Sequence, residues 1–201
     1  MSHQIVPSLV IAATALLCAI SPVSARPVHG YEKIRHELMQ TAHFRQDDEA
    51  MHASYDRLLK ILPSERSTEL KKTQSHWIKD LDGRLAREAD PQECVRSETL
   101  KRKEELEGML ALAQNGEQFL VGKWEFLVGK YHTVYEFRLN GTVRNKRGAS
   151  GKWWFDPAHN WLILQWPDGE PTASPVHPRA RDHIALDNFL SRNEVDLYRM
   201  K

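Results

Sequence analysis

The apolar residues of this chain change their period near residue 118, and that switch limits the folds open to it. Before it, Met51, Tyr55, Leu58 and Leu62 recur three or four positions apart, as do Leu70, Gln74, Trp77, Leu81 and Leu85. These are stripes of amphipathic helices. Pro63-Ser64 separates the two, because a residue before proline resists the α conformation and serine caps well. A further helix starts at "DPQE", where Asp90 can cap, Pro91 suits the first helical position and Glu93 can reach back. It runs through Leu106, Met109 and Leu110 and ends at Asn115-Gly116. An earlier helix over about Tyr31–Phe44 is expected, either separate from the Met51 helix or joined to it.

From Phe119 onward the period is two. "KWEFLV", "YHTVYEFRL", "GKWWF", "WLILQW", "DHIALDNFL" and "EVDLYRM" read as short strands. Turn chemistry divides them, most clearly at Asn140-Gly141. No crossover of helical length lies between them, so the sheet should be antiparallel. The expected class is α+β: an antiparallel helical hairpin or bundle, then a β meander of six to eight strands curled into a small barrel or half-barrel. With three prolines, Glu170–Arg179 is expected as loop. In "WLILQW", Trp161 and Ile163 face one way while Leu162, Leu164 and Trp166 face the other. That strand is apolar on both faces, so either helices cover its outer face or an exposed patch binds something.

The first 25 residues carry no Asp, Glu, Lys or Arg, and "VSA" at Val23–Ala25 places small residues where signal peptidase cuts. The expected division is therefore a signal peptide over 1–25, a helical domain over 26–117 and a β domain over 118–201. The mature chain would be periplasmic or secreted, with no stable membrane insertion, since the apolar run is short for a spanning helix. It would keep a single cysteine, Cys94, and so no internal disulfide. Lys plus Arg is 28 against 27 for Asp plus Glu, which leaves no field directed at nucleic acid or an acidic membrane.

Catalytic signatures are weak. "HEL" at His36–Leu38 lacks the second histidine a zincin needs, because position 40 is Gln40. "GASG" at Gly148–Gly151 is not a nucleophile elbow. Asp80, Asp82 and Glu88 read as a solvated helix face. Cys94 has no nameable base beside it. Arg102 reads as a stem laid flat, its head in water or on a helix end. No catalytic residue, cofactor or metal site is expected. Trp77 should supply core area, and Gln74, on the same stripe, needs a partner such as Tyr55 or a helix-end carbonyl.

"MHASYDRLLKILP", "LKKTQSHWIKDLD" and "CVRSETLKRKEEL" together resemble the lysozyme inhibitor LprI-like N-terminal domain family. Tyr55, Gln74, Trp77, Asp82, Cys94, Thr99 and Arg102 fall in register with its motif. The chain departs at His52, where the family usually has Asn, at Leu81, where it has Arg, and at Leu85, where it has a cysteine. The resemblance thus implies a lost disulfide with Cys94 as its orphan. The β half resembles small lipocalin-like domains through Gly122-Lys-Trp124, Asn140-Gly141-Thr142 and Gly151-Lys-Trp153. Together these imply an exported, non-enzymatic binding protein, an inhibitor of a lysozyme-like hydrolase being the leading reading. The hairpin residues Arg144, Lys146 and Arg147, with Trp154, are the candidate partner-binding group. The alternative is a binder of a small lipophilic ligand in the lumen of the β half.

Overall fold

A computed structural model describes residues 30–128, 131–187 and 194–201. The signal-peptide reading over 1–25 lies outside them. The architecture is α+β: helices in the N-terminal half, then a closed antiparallel barrel. The helices are α1 (Tyr31–Leu38), α2 (Ala42–Ile61), α3 (Ser64–Leu85), α4 (Pro91–Asn115) and the single turn α5 (Glu117–Leu120). Among these residues no helix is long and apolar enough to cross a membrane.

The helix ends follow local chemistry. Asp90 Oδ1 accepts from Glu93 N–H at 3.0 Å, with Pro91 in the first turn of α4. Gly116 ends that helix at φ 51°, a conformation that favours glycine. The Tyr31 and Met51 helices do not join, since Leu38 ends α1 and α2 starts at Ala42. Gly30 has no side chain with which to cap α1. Asp82, far along α3, does so instead, accepting from Tyr31 N–H at 2.6 Å.

Two apolar clusters hold the helices together. One gathers Tyr31, Ile34, Leu38, Phe44, Leu81, Leu85 and Val95. The other gathers Met51, Leu58, Leu70, Leu106 and Leu110. Trp77 packs against both.

The eight strands pair strictly with their neighbours in sequence, and β1 closes on β8. They are β1 (Gly122–Val128), β2 (Tyr131–Phe137), β3 (Thr142–Asn145), β4 (Ser150–Asp156), β5 (Trp161–Gln165), β6 (Thr172–Ala180), β7 (His183–Leu186) and β8 (Val195–Arg199). The expected loop over Glu170–Arg179 is therefore mostly strand. Its prolines sit where a missing N–H costs little: Pro175 opposes Trp161, the first residue of β5, and Pro178 adjoins a register shift. Pro175 still accepts from Asp187 N–H at 3.3 Å.

Side chains occupy the barrel interior. Trp124, Phe126, Phe137, Val143, Trp153, Phe155, Leu162, Leu164, Ile184, Leu186 and Leu197 are all buried in one cluster. At Gly151 a Cβ would lie 2.7 Å from Gln165 O and 3.0 Å from the Trp166 ring, so the backbone there needs glycine.

The two halves share one spine. α4 lies along α2 and, at Gly108, against β6: a Cβ on Gly108 would stand 2.7 Å from Ala180 O. Arg199, near the C-terminus, fastens the other end. Its guanidinium lies 4.4 Å from the Trp124 ring centroid and donates to Val121 O at 2.9 Å and to Phe119 O.

Candidate functional site

The residues in register with the helical motif gather along the seams between helices. Trp77 meets Tyr31 edge to face, centroids 5.5 Å apart. Gln74 is partnered by Arg102 rather than Tyr55, its Oε1 accepting from Nε at 2.9 Å. The Arg102 head is not in water: the residue is buried, and Nη1 donates to Glu105 at 2.6 Å. Tyr55 packs on the second apolar cluster. Thr99 is fully buried beside the Tyr31 hydroxyl. Asp82 belongs to the α1 cap and is not merely a solvated face. Cys94 packs on the cluster that contains Leu85, and burial pushes its thiol pKa up. That thiol stays protonated near neutral pH and is a poor nucleophile.

One feature of the helical half escaped sequence reading. Asp48, buried on α2, takes Arg35 in a two-pronged bond, Nε to Oδ1 at 2.7 Å and Nη2 to Oδ2 at 2.6 Å. This pairing is the chief reason the Arg35 guanidinium pKa is raised. The signal was available: Phe44, Asp48, Met51 and Tyr55 step by three or four, so Asp48 is in phase with the buried stripe.

In the barrel, Trp153 and Trp154 face opposite sides. Trp153 is buried and donates from Nε1 to Arg138 O at 2.9 Å. Trp154 points outward and is 37% exposed; Trp161, one strand over, is 39% exposed. Between them, Ile163 pairs with Trp154 on one side and Ala173 on the other. His159 leans on Trp161 at 5.0 Å and bonds Asp156, which draws that carboxyl below its usual range. Helix α4 covers β6 and leaves this apolar strip open, so the outer face of β5 is not wholly sheathed.

Of the basic group, Arg144 lies on the same outer surface. Arg144 opposes Ser150, four residues before Trp154 on β4, which sets the two about 13 Å apart. Glu136, opposite Arg144 on β2, has its pKa lowered chiefly by a bond from Arg138, with Lys123 and Arg144 adding to the field. Lys146 and Arg147 occupy the β3–β4 turn, which Asn145 ties by accepting from Arg147 and Ala149 N–H, each at 3.0 Å. Arg144 thus shares the outer face with Trp154 without touching it, Lys146 lines the same groove as Arg144 and Glu136, and Arg147 sits in the turn close enough to the buried Tyr135 for its charge to act on that phenol. Among the described residues, no group of three or more His, Cys, Asp and Glu side chains could hold a metal ion.

The molecule belongs to a general class: a helical layer backing a closed, side-chain-filled, eight-stranded antiparallel barrel. No family model, curated protein or solved structure matches the chain.

Proposed function

We propose that this chain is an exported, non-enzymatic binding protein that engages a protein partner through the outer face of its barrel. The observation that carries the reading is the division of aromatic residues in the β half. Trp124, Trp153, Phe137 and Phe155 fill the interior, while Trp154 and Trp161 remain on the surface. A lipophilic ligand would have to displace packed side chains, whereas an outer partner finds aromatic anchors already in place. The basic end at Arg144, Lys146 and Arg147 supports a partner with an acidic surface. A lysozyme-like hydrolase with an acidic catalytic cleft has that chemistry, and it is the partner that the helical half's family resemblance implies. Export through a cleaved leader would bring the two into one compartment.

The test is a turbidity assay of cell-wall lysis with the protein in excess, run beside a fatty-acid titration followed by tryptophan fluorescence. Slowed lysis that is restored by Arg147→Glu or Trp154→Ala supports inhibition. Unchanged lysis with saturable quenching by the fatty acid overturns it in favour of a small-ligand binder.

A further inference from the structure

Strands β1, β2 and β3 carry a groove of about 370 Å³ on the outside of the barrel. Register sets its lining. Lys123 opposes Glu136, which opposes Arg144, so these three form one row across the strands. In the next row Glu125 opposes Val134, and Lys146 donates its N–H to Val134 O at 2.9 Å. Trp124, Tyr135, Phe137 and Val143 are buried in the interior, so their neighbours in both rows point out. We propose, resting on the reading of the outer barrel face as a protein-binding surface, that this groove holds an extended segment of the partner with two alternating glutamates, Glu-x-Glu.

The groove has cations to spare. Glu136 accepts from Arg138 at 2.9 Å, and Glu125 meets His132. Among the described residues, Lys123, Arg144 and Lys146 make no ion pair and no side-chain hydrogen bond, and all three are exposed. With Arg138 beside the groove, four cations face the two carboxylates Glu125 and Glu136, an excess of two positive charges. The Glu136 carboxyl is held below its usual pKa, chiefly by the bond from Arg138, with the fields of Lys123 and Arg144 adding to it, so it stays ionised on Arg138. Carboxylates brought from outside therefore complete pairs that the chain itself leaves open, and complementary charge of this kind selects the partner.

Spacing selects the sequence. Arg144 and Lys146 are two residues apart along β3 and its continuation, which sets them about 7 Å apart on one face. Alternate side chains of an extended peptide share that spacing and that side, while adjacent ones point apart. A Glu-x-Glu segment laid along β3 thus sets one carboxylate on each cation. Val134, half-buried beside Lys146, receives the glutamate methylenes. Lys123 stands two strands from Arg144, about 10 Å away, and adds attraction from the far side of Glu136. A single small anion meets only one of these cations and leaves Val134 uncovered. A nucleic acid needs a longer basic track and stacking aromatics, whereas Glu125 interrupts this track and its lining holds no Phe, Tyr or Trp.

The experiment is an amide-NMR titration of the protein with acetyl-Ala-Glu-Ala-Glu-Ala-amide at low and high salt. Saturable shifts centred on Val134, Glu136, Arg144 and Lys146 are expected, with affinity falling as salt rises, because exposed charges are screened. The peptide with both glutamates changed to glutamine keeps the stems and should bind about fivefold or more weakly. Acetyl-Ala-Glu-Glu-Ala-Ala-amide, whose glutamates face apart, should lose about threefold. Arg144→Gln with Lys146→Gln, both exposed and so compatible with the fold, should weaken the first peptide about fivefold. No saturable shift at millimolar peptide, equal binding of either control peptide, full affinity in the double variant, or tighter binding of decathymidylate with the same shifts would each overturn the proposal. The lysis assay reads separately, since neither substitution touches Arg147 or Trp154. Unchanged lysis with the expected peptide titration removes the hydrolase and keeps the groove. Slowed lysis restored by Arg147→Glu, with no peptide binding, keeps the partner surface and removes the groove.

Discussion

Gln74 and Trp77 lie on one stripe of α3 but do different work. Trp77 fills the seam between two clusters and meets Tyr31; Gln74 anchors a buried guanidinium. Trp77→Ala should destabilise the protein toward the lower end of about 3–5 kcal/mol, because the ring is only partly buried. Gln74→Ala should cost about 1–3 kcal/mol by leaving Arg102 Nε unpaired. Urea unfolding of both variants measures this, and wild-type stability in either would remove its structural role. Asp48→Asn, which breaks the Arg35 pair, should fall at the low end of about 3–5 kcal/mol, since Arg35 is 24% exposed and partly screened. Sequence alone placed Gln74 and Trp77 on the buried side but not their partners. Period gives the face of one helix, and neither Arg102 nor Tyr31 is local to α3.

Between elements, α4 depends on two contacts of opposite character. At Gly108 the helix touches β6 backbone. Alanine there would gain up to about 1 kcal/mol of helix propensity. It would also push a methyl into Ala180 O, an overpacking cost of about 1–3 kcal/mol against an atom that cannot swing aside. The clash should win, so Gly108→Ala is expected to lower the thermal midpoint. A raised midpoint would mean that α4 is free to lift from β6. At its other end α4 is tied to α3 by Glu98 and Arg84, 2.9 Å apart. The Glu98 carboxyl is held below its usual pKa, mainly by the bond from Arg84 and then by Lys101. A carboxyl whose pKa is lower folded than unfolded stabilises the fold above its ordinary range and loses that contribution as pH falls through the folded value. The urea midpoint should therefore drop between neutral pH and about pH 3–4, and Glu98→Gln should flatten part of that drop. An unchanged slope in the variant would assign the acid sensitivity to other carboxylates. The α4 boundaries were legible because Asp90, Pro91 and Gly116 are local signals. Strand β6 was not, because its two prolines are tolerated only through the placement of β5 and a register shift, which no single segment reveals.

At the scale of the whole molecule, the antiparallel meander and its curling into a small barrel or half-barrel were legible from strand period and turns, but the choice between the two, full closure, was not. Closure depends on β1 meeting β8, more than 60 residues apart, and on Arg199, which reads as an ordinary strand-end cation. Arg199 joins the barrel to α5 by two carbonyl bonds while covering Trp124 and Phe119, and burial lowers its pKa. Arg199→Met keeps much of the apolar stem but releases Phe119 O and Val121 O, so a loss of about 3 kcal/mol is expected. The consequence reaches beyond the barrel, because α5 follows α4 directly and α4 carries both helical seams. The two halves should therefore unfold together, a point that two probes can decide. Far-ultraviolet circular dichroism follows the helices, while tryptophan emission follows the barrel, which holds five of the six tryptophans. Coincident midpoints are expected in the wild type. In Arg199→Met the emission midpoint should fall, and the helical midpoint should fall with it if α4 and β6 remain one packed unit. Two separated transitions in the wild type would show instead that the Gly108 contact does not couple the halves, so that α4 could lift from β6 without unfolding the barrel.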